Sequence, residues 1–131
     1  MPLIVESLRE ASCQDQQDLQ KIFHDAPPWL FTPFADAQSL INETLLQSCW
    51  VVGRFNDRLL CAARVRREGH AWKLSHLCVR KQTRRRGLAA RLIEETRLMA
   101  ESAGCELHLF APPGQPEAMA LAHKTGLQLS V

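Results

Sequence analysis

Hydrophobic positions along the chain alternate between a strand-like and a helix-like period, and the points where the period changes mark out the elements. Residues 2–8 are mostly apolar and read as a first strand. Leu19, Ile22 and Phe23 then recur at helical spacing. Ahead of them, Ser12 and Asp15 place a hydroxyl three residues before an acid, the arrangement that caps a helix start. Pro27 and Pro28 close this helix soon after Asp25. Residues 29–34 are apolar, proline-flanked and aperiodic, which predicts a loop that must pack against something. A second helix is expected from about Asp36, with Leu40, Ile41, Thr44 and Leu45 on one face. Residues 49–55 and 59–66 read as strands joined by Asn56-Asp57, a pair that tolerates positive φ and favours a tight hairpin.

After a turn at Glu68, Gly69 and His70, residues 71–80 form a long fourth strand. The next helix, 87–103, sets Leu88, Leu92, Thr96 and Met99 along one side, with Ala89, Ile93 and Ala100 beside them. Arg91, Glu94, Glu95, Arg97 and Glu101 are left for solvent, and Gly104 supplies a C-cap. Residues 105–111 are a fifth strand, 112–116 a rigid proline-rich loop, and 117–125 a short helix ended by Gly126. The predicted order is β-α-α-β-β-β-α-β-α with a short tail. It is an α/β arrangement in which the fourth and fifth strands flank a crossover helix and are therefore parallel neighbours.

The junction at residues 77–90 carries the most chemistry. Leu77, Cys78 and Val79 end an apolar strand, a basic turn follows, and Gly87, Leu88 and Ala89 open the helix. A helix start leaves backbone N–H groups without partners, pointing at whatever sits there. A glycine in the first turn removes the Cβ that would keep a ligand from the main chain. Arg84, Arg85 and Arg86 add long-range attraction for anions. The combination suits a phosphate-bearing ligand. A solvated basic turn and a nucleic-acid patch are the alternatives, since residues 80–91 hold six Lys and Arg. Nucleic acid is disfavoured by a net charge of only +2 and by the lack of aromatic residues among the basic ones.

Composition narrows the class. With 131 residues, 46% hydrophobic and 23% charged, the chain is expected to be one globular domain able to bury its own core. No run of about 18 apolar residues suggests a membrane span, and the first residues lack the features of a secretion signal. Five cysteines, Cys13, Cys49, Cys61, Cys78 and Cys105, are scattered without Cys-x-x-Cys spacing. They fit a reducing cytoplasm and argue against disulfides or zinc.

Arg84, Gly87 and Ala89 in an Arg-x-x-Gly-x-Ala pattern resemble the signature of the GNAT acetyltransferase superfamily. The element order is similar to the GNAT fold over nearly the whole chain. The resemblance implies a mixed central sheet flanked by helices, whose fourth and fifth strands splay apart near a bulge in the fourth. It implies acetyl-CoA or CoA as ligand, with Leu77, Cys78 and Val79 offering backbone groups to the pantetheine arm. Arg84, Arg85, Arg86, Gly87, Leu88 and Ala89 would hold the pyrophosphate.

A narrower resemblance, to the PanZ/PanM-type regulators of aspartate decarboxylase maturation, rests on four segments. They are Asp18-Leu-Gln-Lys-Ile22, Arg54-Phe-Asn-Asp-Arg-Leu-Leu60, Leu77-x-Val-Arg80 and Thr83-Arg-Arg-Arg-Gly87. The match runs over roughly residues 14–100 and fades beyond 103. It implies a protein partner, aspartate decarboxylase or its proenzyme, met in the acetyl-CoA-bound state. Asn56 at the hairpin tip, together with Arg84 to Arg86 bordering the ligand, is the candidate partner contact.

Catalysis is the other open reading. Many GNAT enzymes protonate the departing thiolate with a tyrosine in the last helix, four residues before a Gly-Phe pair. Aligned on Gly126-Leu127, that position is Ala122, and the chain contains no tyrosine at all. Residues after Gly126 are few, which implies a truncated C-terminal arm. His76, one residue before the segment facing the coenzyme, is the candidate general base of an N-acetyltransferase, against its alternative as a polar residue on an exposed strand face. Cys78 reads as buried packing and His123 as a surface helix residue. No pair of His, Asp or Glu residues has metal-ligand spacing.

Overall fold

The computed structural model describes residues 3–84, 86–111 and 114–130. Arg85, named above for the pyrophosphate, and Pro112 of the proline-rich loop lie outside the described residues. The elements follow the expected order: β1 (Ile4–Leu8), α1 (Cys13–His24), α2 (Ala37–Leu46), β2 (Trp50–Phe55), β3 (Arg58–Glu68), β4 (Ala71–Val79), α3 (Leu88–Ser102), β5 (Glu106–Phe110), α4 (Pro116–Thr125) and β6 (Leu129–Ser130). Single 3₁₀ turns occupy Pro28–Phe31 and Lys81–Thr83. One six-stranded sheet runs β1-β2-β3-β4-β5-β6, antiparallel through β4 and parallel from β4 to β6. The short tail adds a strand of its own, β6, because Gly126 at φ +72° caps α4 and turns the chain back beside β5.

Local chemistry accounts for the element boundaries. The Ser12 hydroxyl accepts from the Asp15 N–H at 3.0 Å while the Asp15 carboxylate accepts from the Ser12 N–H, completing a reciprocal cap on α1. Asp36 caps α2 through the Ser39 N–H at 2.8 Å. Asn56 and Asp57 sit at φ +48° and +63°, so the β2–β3 hairpin closes through two left-handed residues.

Two hydrophobic layers cover the two faces of the sheet. Leu19, Ile22 and Phe23 of α1 and Leu40 and Ile41 of α2 pack on Trp50, Val52 and Leu59. On the opposite face Leu88, Leu92, Ile93 and Ala100 of α3 pack on Val51, Ala63, Val65, Trp72 and Leu74. Alternation along β2 sends Trp50 and Val52 one way and Val51 the other, as a two-faced strand requires. Charged residues tie the first layer to the hairpin. Arg54 reaches Asp15 and Glu6, and Arg58 pairs with Asp18, whose carboxylate also accepts the buried Leu59 N–H at 3.1 Å.

Candidate functional site

The site begins with an irregularity in β4. Ala62 pairs with Cys78 and Arg64 with Ser75, so β3 spends one residue where β4 spends two, His76 and Leu77. This is a β-bulge, and it puts His76 at φ +55°, a left-handed conformation uncommon for a residue with a Cβ. The bulge also inverts the faces of the strand. Before it, Trp72 and Leu74 point toward α3; after it, Leu77 and Val79 do, while Cys78 turns to the α1 side.

Beyond the bulge β4 and β5 part. Their parallel ladder runs from Ala71↔Glu106 to Leu74↔Leu109, and the described pairing goes no further. β5 meanwhile turns its bonding to β6, with the Leu109 N–H donating to the Gln128 carbonyl. The C-terminal half of β4 is therefore an open strand edge on that side. A cavity of about 570 Å³ fills the gap, lined mainly by apolar groups including Leu77, Leu109, Phe110, Leu121, Leu129 and Trp29. A strand edge beside an apolar cleft suits an extended ligand carrying amides, which adds itself as a further strand.

At the far end of β4 the basic turn leads into α3. Gly87 is the N-cap residue, with φ +76°, and among the described residues no atom beyond its chain neighbours stands within 4 Å of where a Cβ would lie. Among the described residues no side chain caps this helix, and its first turn carries no acid. Arg84 and Arg86 are exposed beside it. Open N–H groups, an approachable backbone and nearby guanidinium groups together fit an oxyanion such as a pyrophosphate. The hairpin tip with Asn56 stands at this same end of the sheet, because the start of β3 pairs with the end of β4 (Cys61↔Val79) and the Arg80 N–H donates to the Leu60 carbonyl.

The other sequence candidates divide. His76 lies on the cavity wall, its Nε2 2.8 Å from the Thr32 carbonyl oxygen and its Nδ1 2.7 Å from the Ser75 hydroxyl. Desolvation by burial pushes its pKa below the ordinary histidine value; the hydrogen bond to the Thr32 carbonyl works against this, and the charge of Arg64 adds to it. Cys78 is buried, its thiol directed at the Ile22 carbonyl and its pKa raised by desolvation, as packing requires. His123 is exposed on α4. Ala122, aligned above with the missing tyrosine, is buried in the α3 layer, and the α4 residues lining the cavity are Glu117, Ala118 and Leu121. Sequence reasoning missed these residues, together with Trp29 and Phe110, because separate loops and helix turns carry them. Ser75 was also missed, although its place next to His76 was the available signal.

These features can be set against known proteins. A family model described as "Acetyltransferase (GNAT) domain, PanZ" matches residues 2–125. The chain belongs to this PanZ family of GNAT domains. It is 38% identical over 95 residues to the PanD regulatory factor of Escherichia coli and 41% identical over 96 residues to that of Salmonella typhimurium. Each alignment covers 72% of this chain and 66% of the relative, so the chain spans about two thirds of the length of the relatives it matches. Among solved structures, the PaiA N-acetyltransferase of Thermoplasma acidophilum, crystallised with coenzyme A, superposes with a TM-score of 0.71 at 13% identity. That superposition covers 95% of this chain and 88% of the other. The fold is thus the GNAT fold, with the splayed fourth and fifth strands that the sequence led one to expect. Among the described residues no helix is long and apolar enough to cross a membrane, and no cluster of His, Cys, Asp and Glu is placed to hold a metal ion.

Proposed function

We propose that this PanZ-family chain binds acetyl-CoA, or CoA, and in that state regulates aspartate decarboxylase or its proenzyme in pantothenate and CoA synthesis. The carrying observation is the kinship to two PanD regulatory factors at 38–41% identity, joined to a site whose shape suits the coenzyme. In this reading the pyrophosphate lies on the N–H groups of Gly87, Leu88 and Ala89, with Arg84 and Arg86 beside it; Arg85, outside the described residues, is assigned to it by the family resemblance alone. The pantetheine arm runs along the open edge of β4 at Leu77, Cys78 and Val79. Asn56, at the same end of the sheet, belongs to the surface offered to the partner. The setting is the cytoplasm, in keeping with five free cysteines.

A second reading, acetyl transfer to an amine with His76 as general base, draws on the position of that imidazole in the cavity. Co-purification and calorimetry with the decarboxylase, with and without acetyl-CoA, decide between them, alongside a thiol-release assay on amine panels. The regulator reading expects association at micromolar concentration only when acetyl-CoA saturates the site. By linkage, the partner tightens acetyl-CoA binding by the same factor. Replacing Gly87 by Val strains a left-handed position and sets a branched side chain against the phosphate path. It is expected to weaken acetyl-CoA binding by about tenfold or more, some 1.4 kcal/mol. Asn56→Gly, which keeps the left-handed backbone but deletes the amide, is expected to weaken the complex while leaving acetyl-CoA affinity intact. Failure of the two proteins to associate under saturating acetyl-CoA removes the regulator reading.

A further inference from the structure

Ser75 and His76 form a hydroxyl–imidazole pair on the cavity wall, and the regulator reading uses neither side chain. The Ser75 hydroxyl lies 2.7 Å from His76 Nδ1. On the other side of the ring, Nε2 is 2.8 Å from the Thr32 carbonyl oxygen. A carbonyl can only accept, so Nε2 carries the proton and Nδ1 presents its lone pair to the serine hydroxyl. The tautomer is therefore set by the backbone at Thr32, as a base in a nucleophile–base–orienter array requires. Burial favours the neutral ring, and the bulge at φ +55° fixes the angle at which the imidazole leaves the strand. The pair also borders the opening between β4 and β5, since Ser75 directly follows the last paired residue, Leu74, and lines the same cavity as Leu77, Leu109 and Leu121.

We propose that Ser75 is an acyl-accepting nucleophile and His76 its base, giving this site a slow acyl-CoA hydrolase activity that needs no amine acceptor. The proposal rests on the coenzyme reading of the cavity. Ser75 Oγ forms a bond to the thioester carbonyl carbon while its proton passes to His76 Nδ1. The carbon–sulfur bond then breaks, and the coenzyme thiolate takes that proton, leaving acyl-Ser75 and free thiol. Water next attacks the ester carbon. His76 Nδ1 takes a proton from the water and returns it to Ser75 Oγ, and the free acid departs. No electrons change hands and water is the sole co-reactant. The orienting group is a neutral carbonyl rather than a carboxylate, so the imidazolium formed in each step is poorly stabilised and turnover is slow.

The test follows free thiol from acetyl-CoA with no amine present, together with the intact mass of the quenched protein and peptide mapping. Variants Ser75→Ala, Ser75→Cys and His76→Asn are compared, the last because asparagine tolerates the left-handed backbone. Each is assayed at an acetyl-CoA concentration that calorimetry shows to saturate it. Thiol release and one acetyl group on Ser75 are expected from the wild-type protein. Ser75→Ala and His76→Asn are expected to fall by about 10²-fold or more, while Ser75→Cys still becomes acetylated at position 75. Equal release from Ser75→Ala overturns the proposal, as does a saturated wild-type protein with neither release nor adduct. If calorimetry detects no acetyl-CoA binding, the coenzyme reading itself fails. The pair is then judged with p-nitrophenyl acetate, whose hydrolysis at the same rate by Ser75→Ala rules out the nucleophile.

Discussion

Where α1 and α2 meet β2 and β3, hydrophobic side chains vanish from solvent, with Leu19, Ile22, Phe23, Leu40 and Trp50 all at 0% exposure. Around β5, α4 and β6 the packing is shallower: α4 buries only Ala122, and both residues of β6 are half-exposed. The first region is also tied by charge, through Asp15 to Arg54 and Asp18 to Arg58. The second leaves Leu109, Leu121 and Leu129 around an open cleft. The contrast teaches a division of labour. One side of the domain supplies its own stability, and the other leaves apolar surface open, which a ligand of the proposed kind would cover.

The sharpest way to break this comparison is to cut into the first layer. Phe23→Ala, at a fully buried position packed against the tilted Trp50 ring at 5.4 Å between centroids, is expected to cost about 3–5 kcal/mol in denaturant unfolding. A loss below about 1 kcal/mol would mean that this layer is not the stable half.

Next in size is the effect of ligand. At a concentration 100 times its dissociation constant, acetyl-CoA should stabilise the domain by about 2.7 kcal/mol. Hydrogen exchange should show where. Added protection is expected in β4 after Leu74, β5, α4 and β6, because that is where partners are missing. Protection spread evenly over α1 and β1 would contradict the division.

Acid unfolding tests the charged clamp. The Arg54 guanidinium lowers the Asp15 pKa, desolvation works against it, and the Ser12 N–H lowers it further. A carboxyl with a depressed folded pKa contributes stability above its unfolded value near 4 and loses it as pH falls through the lower folded one. Asp15→Asn is therefore expected to cost about 2 kcal/mol at neutral pH and to flatten the loss of stability below about pH 4. An unchanged acid limb would show that Asp15 is not part of the clamp.

The smallest effect belongs to the second region. Leu121→Ala, at a half-buried position on the cleft, should destabilise the free protein by only about 1 kcal/mol. It should also weaken acetyl-CoA binding, whereas Phe23 lies in the opposite layer and is not among the residues lining the cleft. A stability loss equal to that of Phe23→Ala would erase the distinction between the two halves.

Much of this architecture was legible in the chain, wherever a few neighbouring residues settle the outcome. The Ser12–Asp15 cap, the Asn56-Asp57 hairpin, the amphipathic α3 and the Gly87 helix start are all local, and the structure shows each one. Hydrophobic period marked the helices, which each bury one face, while the central strands β2 and β3 are buried on both and were bounded by their turn residues. Read locally, the coenzyme-type junction at 77–90 needed only the order strand, basic turn, glycine, helix.

What the tertiary structure alone decided involves partners far apart in the chain. The bulge at His76 exists because β3 offers one residue against two, a mismatch invisible from β4 by itself. β6 forms because Gly126 turns the tail back along the edge of β5 that faces away from β4, a neighbour that the tail's own residues do not specify. Nothing local to α1 tells that Asp18 is buried to receive Arg58 and the Leu59 N–H from about 40 residues away. Ala122 faces the core rather than the cleft because the rotation of α4 is set by its contact with α3. The pairing of His76 Nε2 with the Thr32 carbonyl comes from an apolar loop whose landing place no local rule predicts. Local backbone chemistry is written residue by residue, whereas strand register, helix rotation and the shape of the cleft arise from packing that the whole chain makes together.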